Sequence, residues 1–310
     1  MMEESVLREG VFRHSFMVAS ILGILCRALV LRVVDKQYPR RPQDYLEQII
    51  TSALAAFLGA IALPALLENE FSALTFFAIA IQQFQGLAEQ ERITLKNIDE
   101  AEIVPKGSAY VEEIASTYES RCYISLLSSL MASGLFILFN NYLLYGFLVS
   151  TIAAAIGAGI IGLIIRRYLR RDSIADVAEV REAKIHFDKS VLKVNGVYIG
   201  NIGLEDTRNR YLNEGLAIEI IPKSLGDFGI VSDIGQRQAI IHNIFIHMGV
   251  DKDVDEKDIL TISETDFDKR SVVIPFIPIM KDIETMIEIA RSTPIIETAK
   301  GKNSDYKKTI

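Results

Sequence analysis

The apolar positions of this chain fall into two regimes. Up to residue 171 they come as long uninterrupted runs, and beyond it as short mixed elements separated by charge. A helix needs about 20 mostly apolar residues to cross a hydrocarbon layer about 30 Å thick, because it rises about 1.5 Å per residue. Residues 49–67 and 142–165 meet that requirement without a charged side chain. Residues 122–139 are uncharged and slightly shorter, and only Asn140 and Asn141 separate them from the next run, which predicts a helical hairpin with a tight polar turn. Two further runs carry polar residues. Residues 14–31 hold Arg27 near their end, where its long stem can extend to the interface, and 71–88 hold Gln82, Gln83 and Gln85 toward one end. The pattern predicts a membrane domain over 14–171 with about five transmembrane helices, after an extracytoplasmic tail at 1–13. The acidic start (Glu3, Glu4, Glu9) and the lack of a small-residue cleavage site predict that the first run is retained.

Five crossings put the termini on opposite sides, and Lys and Arg choose the orientation. With the C-terminus inside, twelve basic residues near the spans are cytoplasmic: Arg32, Lys36, Arg40, Arg41, Arg92, Lys96, Lys106, Arg121, Arg166, Arg167, Arg170 and Arg171. The outer stretches hold only Arg8 and Arg13. The expected topology is therefore N-terminus outside and C-terminus cytoplasmic, at the cell membrane. The last arginine cluster sits where anionic lipid headgroups would meet it. Gly157, Gly159 and Gly162 match a dinucleotide-binding fingerprint by spacing alone, but they lie within a span, where small residues serve close helix packing. Pro64 reads as a kink.

Between the third and fourth runs lies a polar cytoplasmic neck, 89–121, broken by Pro105 and Gly107. After the break, Tyr110, Ile114, Thr117 and Tyr118 recur at helical spacing without a breaker before Cys122. A helix is predicted from about Ser108 into the membrane, with that stripe packed on the soluble domain or on a partner. Here the residues resemble a known family. Tyr110-Val111-Glu112-Glu113-Ile114-Ala115 is similar to the hexapeptide that names the YIEGIA family of membrane proteins from endospore-forming bacteria, with Val111 in place of isoleucine and Glu113 in place of glycine. Val104–Ala109, Gln37-Tyr38-Pro39, Ala65–Glu68 and Gly235–His242 resemble that family too. The resemblance implies a role in spore development at a membrane of the sporulating cell.

Composition fits a chain of two parts. Half of the 310 residues are hydrophobic, yet mean hydropathy is only +0.25. After Arg171 there are 24 acidic and 18 basic residues, a net charge of −6, with no concentrated basic face for nucleic acid. Residues 172–299 predict a small α+β cytoplasmic domain, followed by a flexible tail, 300–310. Val191–Val194 and Val197–Ile199 flank Asn195-Gly196, a hairpin signal because both turn positions need positive φ. Residues 216–221 and 271–279 read as buried strands, the second confined to an edge or broken by Pro275 and Pro278. One helix starts at Asp233 in a capping box with Gln236 and buries Ile241, Ile244, Phe245 and Met248 before Gly249. Another spans about 281–291.

Chemistry is sparse. Cys26 and Cys122 lie in or beside apolar runs and suggest neither a disulfide nor a metal site, and no cofactor motif is present. His242 and His247 are about 140° apart on a helix and cannot grip one metal. Gln236, Arg237, Gln238 and His242 read as a polar patch facing solvent or a partner. Glu112 and Glu119 lie two turns apart on the neck and, with His242, are the catalytic candidates; Tyr110, Ile114 and Tyr118 are interaction candidates. No serine elbow, H-E-x-x-H, P-loop or intramembrane acid appears. The reading is a sporulation-associated integral membrane regulator or scaffold contacting lipids and a cytoplasmic protein, with homo-oligomerisation open. The alternatives are a membrane-bound protease or other hydrolase and, more weakly, a small-solute transporter, whose usual inverted repeats are missing.

Overall fold

The computed structural model describes residues 10–34, 42–68, 71–168 and 172–301. Residues 1–9, Gln37-Tyr38-Pro39, the basic residues at 36, 40, 41, 170 and 171, and the tail from 302 lie outside the described residues. The chain divides into two compact units: Met1–Glu91 with Ala115–Arg170, and Arg92–Ile114 with Arg171–Ile310. The neck is thus shared out: its middle, 92–114, joins the C-terminal part, while 89–91 and 115–121 stay with the first unit.

The first unit is helical: α1 (Val11–Val34), α2 (Pro42–Leu67), most of α3 (Phe71–Asp99), most of α4 (Ser108–Ile137) and α5 (Phe147–Tyr168). Four stretches among the described residues are long and apolar enough to cross a membrane: Val11–Ala28, Ile49–Leu67, Cys122–Tyr142 and Phe147–Arg167. The fifth predicted run, 71–88, opens α3 and is not among them; the side chains of Phe71–Leu74, Phe76 and Phe77 are outside those described. Close approach holds these helices together. A Cβ on Gly59 would lie 2.1 Å from the Leu126 carbonyl oxygen, and one on Gly23 would lie 2.9 Å from Ala56 and Ser129. Buried serines bridge the same contacts, Ser15 with Ser133 at 3.0 Å and Ser133 donating to the Ala60 carbonyl at 3.0 Å. Gly157 faces Leu135 and Gly162 faces Cys26, as expected of packing glycines, while Gly159 faces open space.

Two expectations are corrected here. The asparagines do not make the turn: α4 runs on through Asn140 and Asn141 as a π-helix, Leu138–Tyr142, and the chain reverses over 143–146. Leu143 N–H to the Leu138 carbonyl and Tyr145 N–H to the Phe139 carbonyl carry the backbone bonds past the asparagines, and Leu144 takes the positive φ of 56°. Arg27 does not reach outward either; it is only 2% exposed.

The second unit is α+β. Its strands form an antiparallel sheet in the order β1 (Ala178–Glu182), β5 (Leu216–Pro222), β7 (Ser271–Phe276), β6 (Glu264–Asp266), and a smaller antiparallel sheet of β2 (Ile185–Asp188), β3 (Val191–Val194) and β4 (Val197–Asn201). Asn195 at φ 49° and Gly196 at φ 86° make the predicted turn between β3 and β4. Glu219 on β5 ties the sheets together, accepting from the Asn195 amide at 2.8 Å and from Ser271 Oγ at 2.7 Å. Strand β7 is internal, not an edge. Pro275 is tolerated there because β6 pairs only with Ser271–Val273, so no ladder partner awaits the missing N–H on that side. Around the sheets lie α6 (Ile174–Val177), α7 (Glu205–Glu214), α8 (Leu225–Val231), α9 (Ile234–Met248) and α10 (Ile283–Ser292). Leu192, Val194, Ile202, Tyr211 and Val273 centre one core, in which Tyr211 Oη donates to the Leu260 carbonyl at 3.1 Å and accepts its N–H at 2.7 Å.

Candidate functional site

Helix α9 is the element on which the sequence-marked residues converge. It starts because Asp233 accepts the Gln236 N–H at 3.0 Å, and it stops because Gly249 adopts φ +69°, which glycine tolerates without steric cost. Between these ends Ile240, Ile241, Ile244 and Met248 are buried, while Phe245 is half-buried.

Three consecutive polar side chains then hold three different segments. The Gln236 side chain does not reach back to its own cap. Its Nε2 donates to the Pro294 carbonyl at 3.1 Å and its Oε1 accepts the Ile296 N–H at 2.9 Å. The reason is burial: Gln236 is fully enclosed, and a buried amide must find partners on both ends. Arg237 donates from one terminal nitrogen to the Ser263 carbonyl at 2.8 Å and to Ser263 Oγ at 3.3 Å. Burial draws its pKa down, opposed by the charges of Glu264 and Asp233. Gln238 donates from Nε2 to the Pro105 carbonyl.

One turn further, His242 meets the same inserted segment. It is 1% exposed, so this member of the patch expected to face solvent or a partner lies in a buried joint. Its Nδ1 lies 2.8 Å from the Val104 carbonyl oxygen, which can only accept, so Nδ1 carries the proton. Glu102 Oε2 is 3.5 Å from the same nitrogen, and the Tyr110 ring stands edge-on with centroids 6.3 Å apart. Desolvation pulls the histidine pKa below its ordinary value, and Lys106 pulls the same way; the Val104 contact, Glu102 and Asp99 oppose them.

The segment that His242 and Gln238 grip is shaped by Asp99 at the end of α3. Its carboxylate accepts the backbone N–H of Lys106 and, at 3.0 Å, that of Gly107. Gly107 turns at φ +84°, and its carbonyl accepts the N–H groups of Tyr110 and Val111 to open α4. Lys106 Nζ reaches Glu102 at 2.8 Å.

On α4 itself, Tyr110, Val111 and Ile114 are buried, and so is Glu113, whose Oε2 accepts the Glu297 N–H at 3.1 Å. Glu112 points the other way and forms a two-pronged pair with Arg92, 2.6 Å to Nε and 2.8 Å to the terminal nitrogen. The side chains of Thr117, Tyr118 and Glu119 are outside those described. Among the described residues no group of three or more His, Cys, Asp or Glu side chains is placed to hold a metal. Glu113 stands out in sequence as the replacement of a family glycine, whereas Glu102 and Asp99 do not; the one signal for Asp99 is its place just before the Pro105–Gly107 break.

Two stretches far apart in the chain, Val104–Tyr110 and Gly235–His242, therefore form one contact. Gly235 and Ala109 approach so closely that a Cβ on the glycine would sit 2.5 Å from the alanine Cβ. Comparison with known proteins gives the same two stretches a common context. The family described as YIEGIA protein matches residues 15–306. A relative from Bacillus subtilis (strain 168), described as "Uncharacterized protein YphB", is 31% identical over 279 residues, covering 90% of this chain and 91% of the relative. No solved structure matches. With the family model spanning nearly the whole chain and a relative 31% identical over 90% of it, the chain belongs to the YIEGIA family.

Proposed function

We propose that the protein is a multi-pass regulator or scaffold in the membrane of the sporulating cell, offering its second unit to a cytoplasmic protein partner. The observation that carries this reading is how the marked polar residues are used. Glu112, Gln236, Arg237, Gln238 and His242 each hold another part of the same unit, so the marked positions serve assembly of a body rather than a substrate pocket.

Topology supports the same placement. Residues 92–114 and those after 171 share one compact unit, so they occupy one side of any membrane, and α4 and α5 must leave and return as a pair. The basic residues flanking those helices, Arg92, Lys96, Arg166 and Arg167 among them, favour the cytoplasm for that side. The outer row of α5, with Leu148 75%, Ile152 58%, Ile156 59% and Leu163 61% exposed, suits a lipid environment, and Arg166 and Arg167 suit anionic headgroups at its end. With a further crossing at 71–88, the N-terminus lies outside.

A deletion strain complemented with Glu112→Ala tests the reading. Full sporulation at normal protein level is expected, since the glutamate makes only a surface ion pair. Loss of sporulation at normal protein level would overturn the scaffold reading in favour of a catalytic carboxylate. A cytoplasm-dependent fluorescent fusion at residue 310 should be bright; a dark but stable fusion would overturn the topology.

A further inference from the structure

The connection between α3 and α4 rests on α9 through few polar contacts, and one of them is titratable. Gln238 and His242 each hold a single backbone carbonyl, Pro105 and Val104. Around the imidazole stand Asp99 from α3, Glu102 and Lys106 from the connection and Tyr110 from α4, while Gln238 and Phe245 flank it on α9 itself. The second ring nitrogen, Nε2, is buried with no hydrogen-bond partner among the described residues.

We propose that residues 99–107 form a latch on α9 that opens when His242 takes up a proton. In the closed latch the neutral ring is satisfied: Nδ1–H donates to Val104, and bare Nε2 is an acceptor left idle. Protonation places a second N–H, and a positive charge, where none of the described residues offers Nε2 an acceptor, and leaving a buried donor unpaired is costly. Glu102 at 3.5 Å partly offsets the charge, and its own pairing with Lys106 limits that relief. In the open latch the ring meets water and charges freely. Opening is therefore coupled to proton uptake, and acid favours it. The sign follows from the lowered pKa of the closed state: stability of the latch is fully present above the ordinary histidine range and declines as pH falls through it. Release would uncover Val104, an apolar residue with no exposure in the closed state, next to the partly exposed Ile103. The proposal stands apart from the scaffold reading, since it concerns an equilibrium within the second unit whatever that unit recruits.

The chain has no tryptophan, so a single Ile103→Trp in the full-length protein, in detergent micelles, reports on the latch without background. Acrylamide quenching of Trp emission is followed from about pH 8 to about 5.5, across the ordinary histidine value of about 6.5. Quenching should rise as pH falls, by at most tenfold per pH unit in the open-to-closed ratio, the limit for one proton. His242→Asn keeps a donor for Val104 without a titrating group and should be flat and weakly quenched. Glu102→Gln removes the charge that favours the protonated closed ring and should extend the response to lower pH. Flat quenching in the otherwise native protein overturns the latch. So does an unchanged pH response in His242→Asn. Should the asparagine variant be open at every pH, the glutamate variant decides: an extended response upholds the latch, and an unmoved one overturns it.

Discussion

Replacing Gln236 with methionine, which keeps the approximate volume and removes both polar ends, isolates what the buried amide contributes. The substitution strands the Ile296 N–H and the Pro294 carbonyl. Ile296 is fully buried and its donor has no alternative, whereas Pro294 is half-buried and water can reach part of its oxygen's surroundings. An unpaired buried group costs about 1–3 kcal/mol, so the pair together should cost about 2–4 kcal/mol once the partial rescue is counted. The loss concentrates where the C-terminal segment also pairs with 172–174 through Ile174 N–H to Thr293 and Ile295 N–H to Asp172. Hydrogen exchange by mass spectrometry on the full-length protein reads it directly, in peptides spanning 293–299. With about 1.4 kcal/mol per factor of ten, exchange there should accelerate roughly 30- to 700-fold. A surface glutamine would change stability by less than about 0.5 kcal/mol. Acceleration under about twofold would therefore refute the buried joint and restore the surface patch that sequence alone suggests.

Other outcomes follow from the same structure. Gly59→Leu should abolish the close approach of α2 and α4, since even a Cβ would meet the Leu126 carbonyl oxygen at 2.1 Å; purified protein is expected to lose its cooperative thermal transition or to aggregate. Tyr211 is held neutral by burial, with its pKa pushed up to about 12, so its contribution is whole below about pH 10 and is lost as pH rises toward 12. Denaturant unfolding followed by circular dichroism should show a flatter decline of stability from about pH 10 to 12 in Tyr211→Phe, which loses about 1–3 kcal/mol at neutral pH because the Leu260 groups lose their partner.

Local signals survived into the structure, and long-range ones did not. The Asn195-Gly196 turn, the Asp233 cap, the Gly249 stop and four of the five long apolar helices depend on neighbours in sequence, and each of these is where the pattern put it. The start of α4 at Ser108 was readable because Pro105 and Gly107 mark the break before it. What could not be read is which polar residues turn inward. Gln236 and His242 read as polar surface positions on α9 because their partners, 294–296 and 102–104, lie about 60 and 138 positions away. Glu113, out of place beside a glycine-bearing hexapeptide, becomes intelligible only when Glu297 supplies an N–H to it. Strand β7 was misread for a similar reason, since an internal strand can carry Pro275 only if its neighbour stops short.

The union of 92–114 with the residues after 171 also constrains how the chain is made. Val104 and Pro105 leave the ribosome long before the helix whose side chains claim their carbonyls, with 138 positions separating Val104 from His242. At roughly 5–20 residues per second, synthesis takes about 7–28 s to cover that distance. During that interval α4 and α5 are synthesised, while the carbonyls at 104 and 105 lack the side chains that finally bind them. Completion of the second unit thus waits for α9, however early its first segment is made.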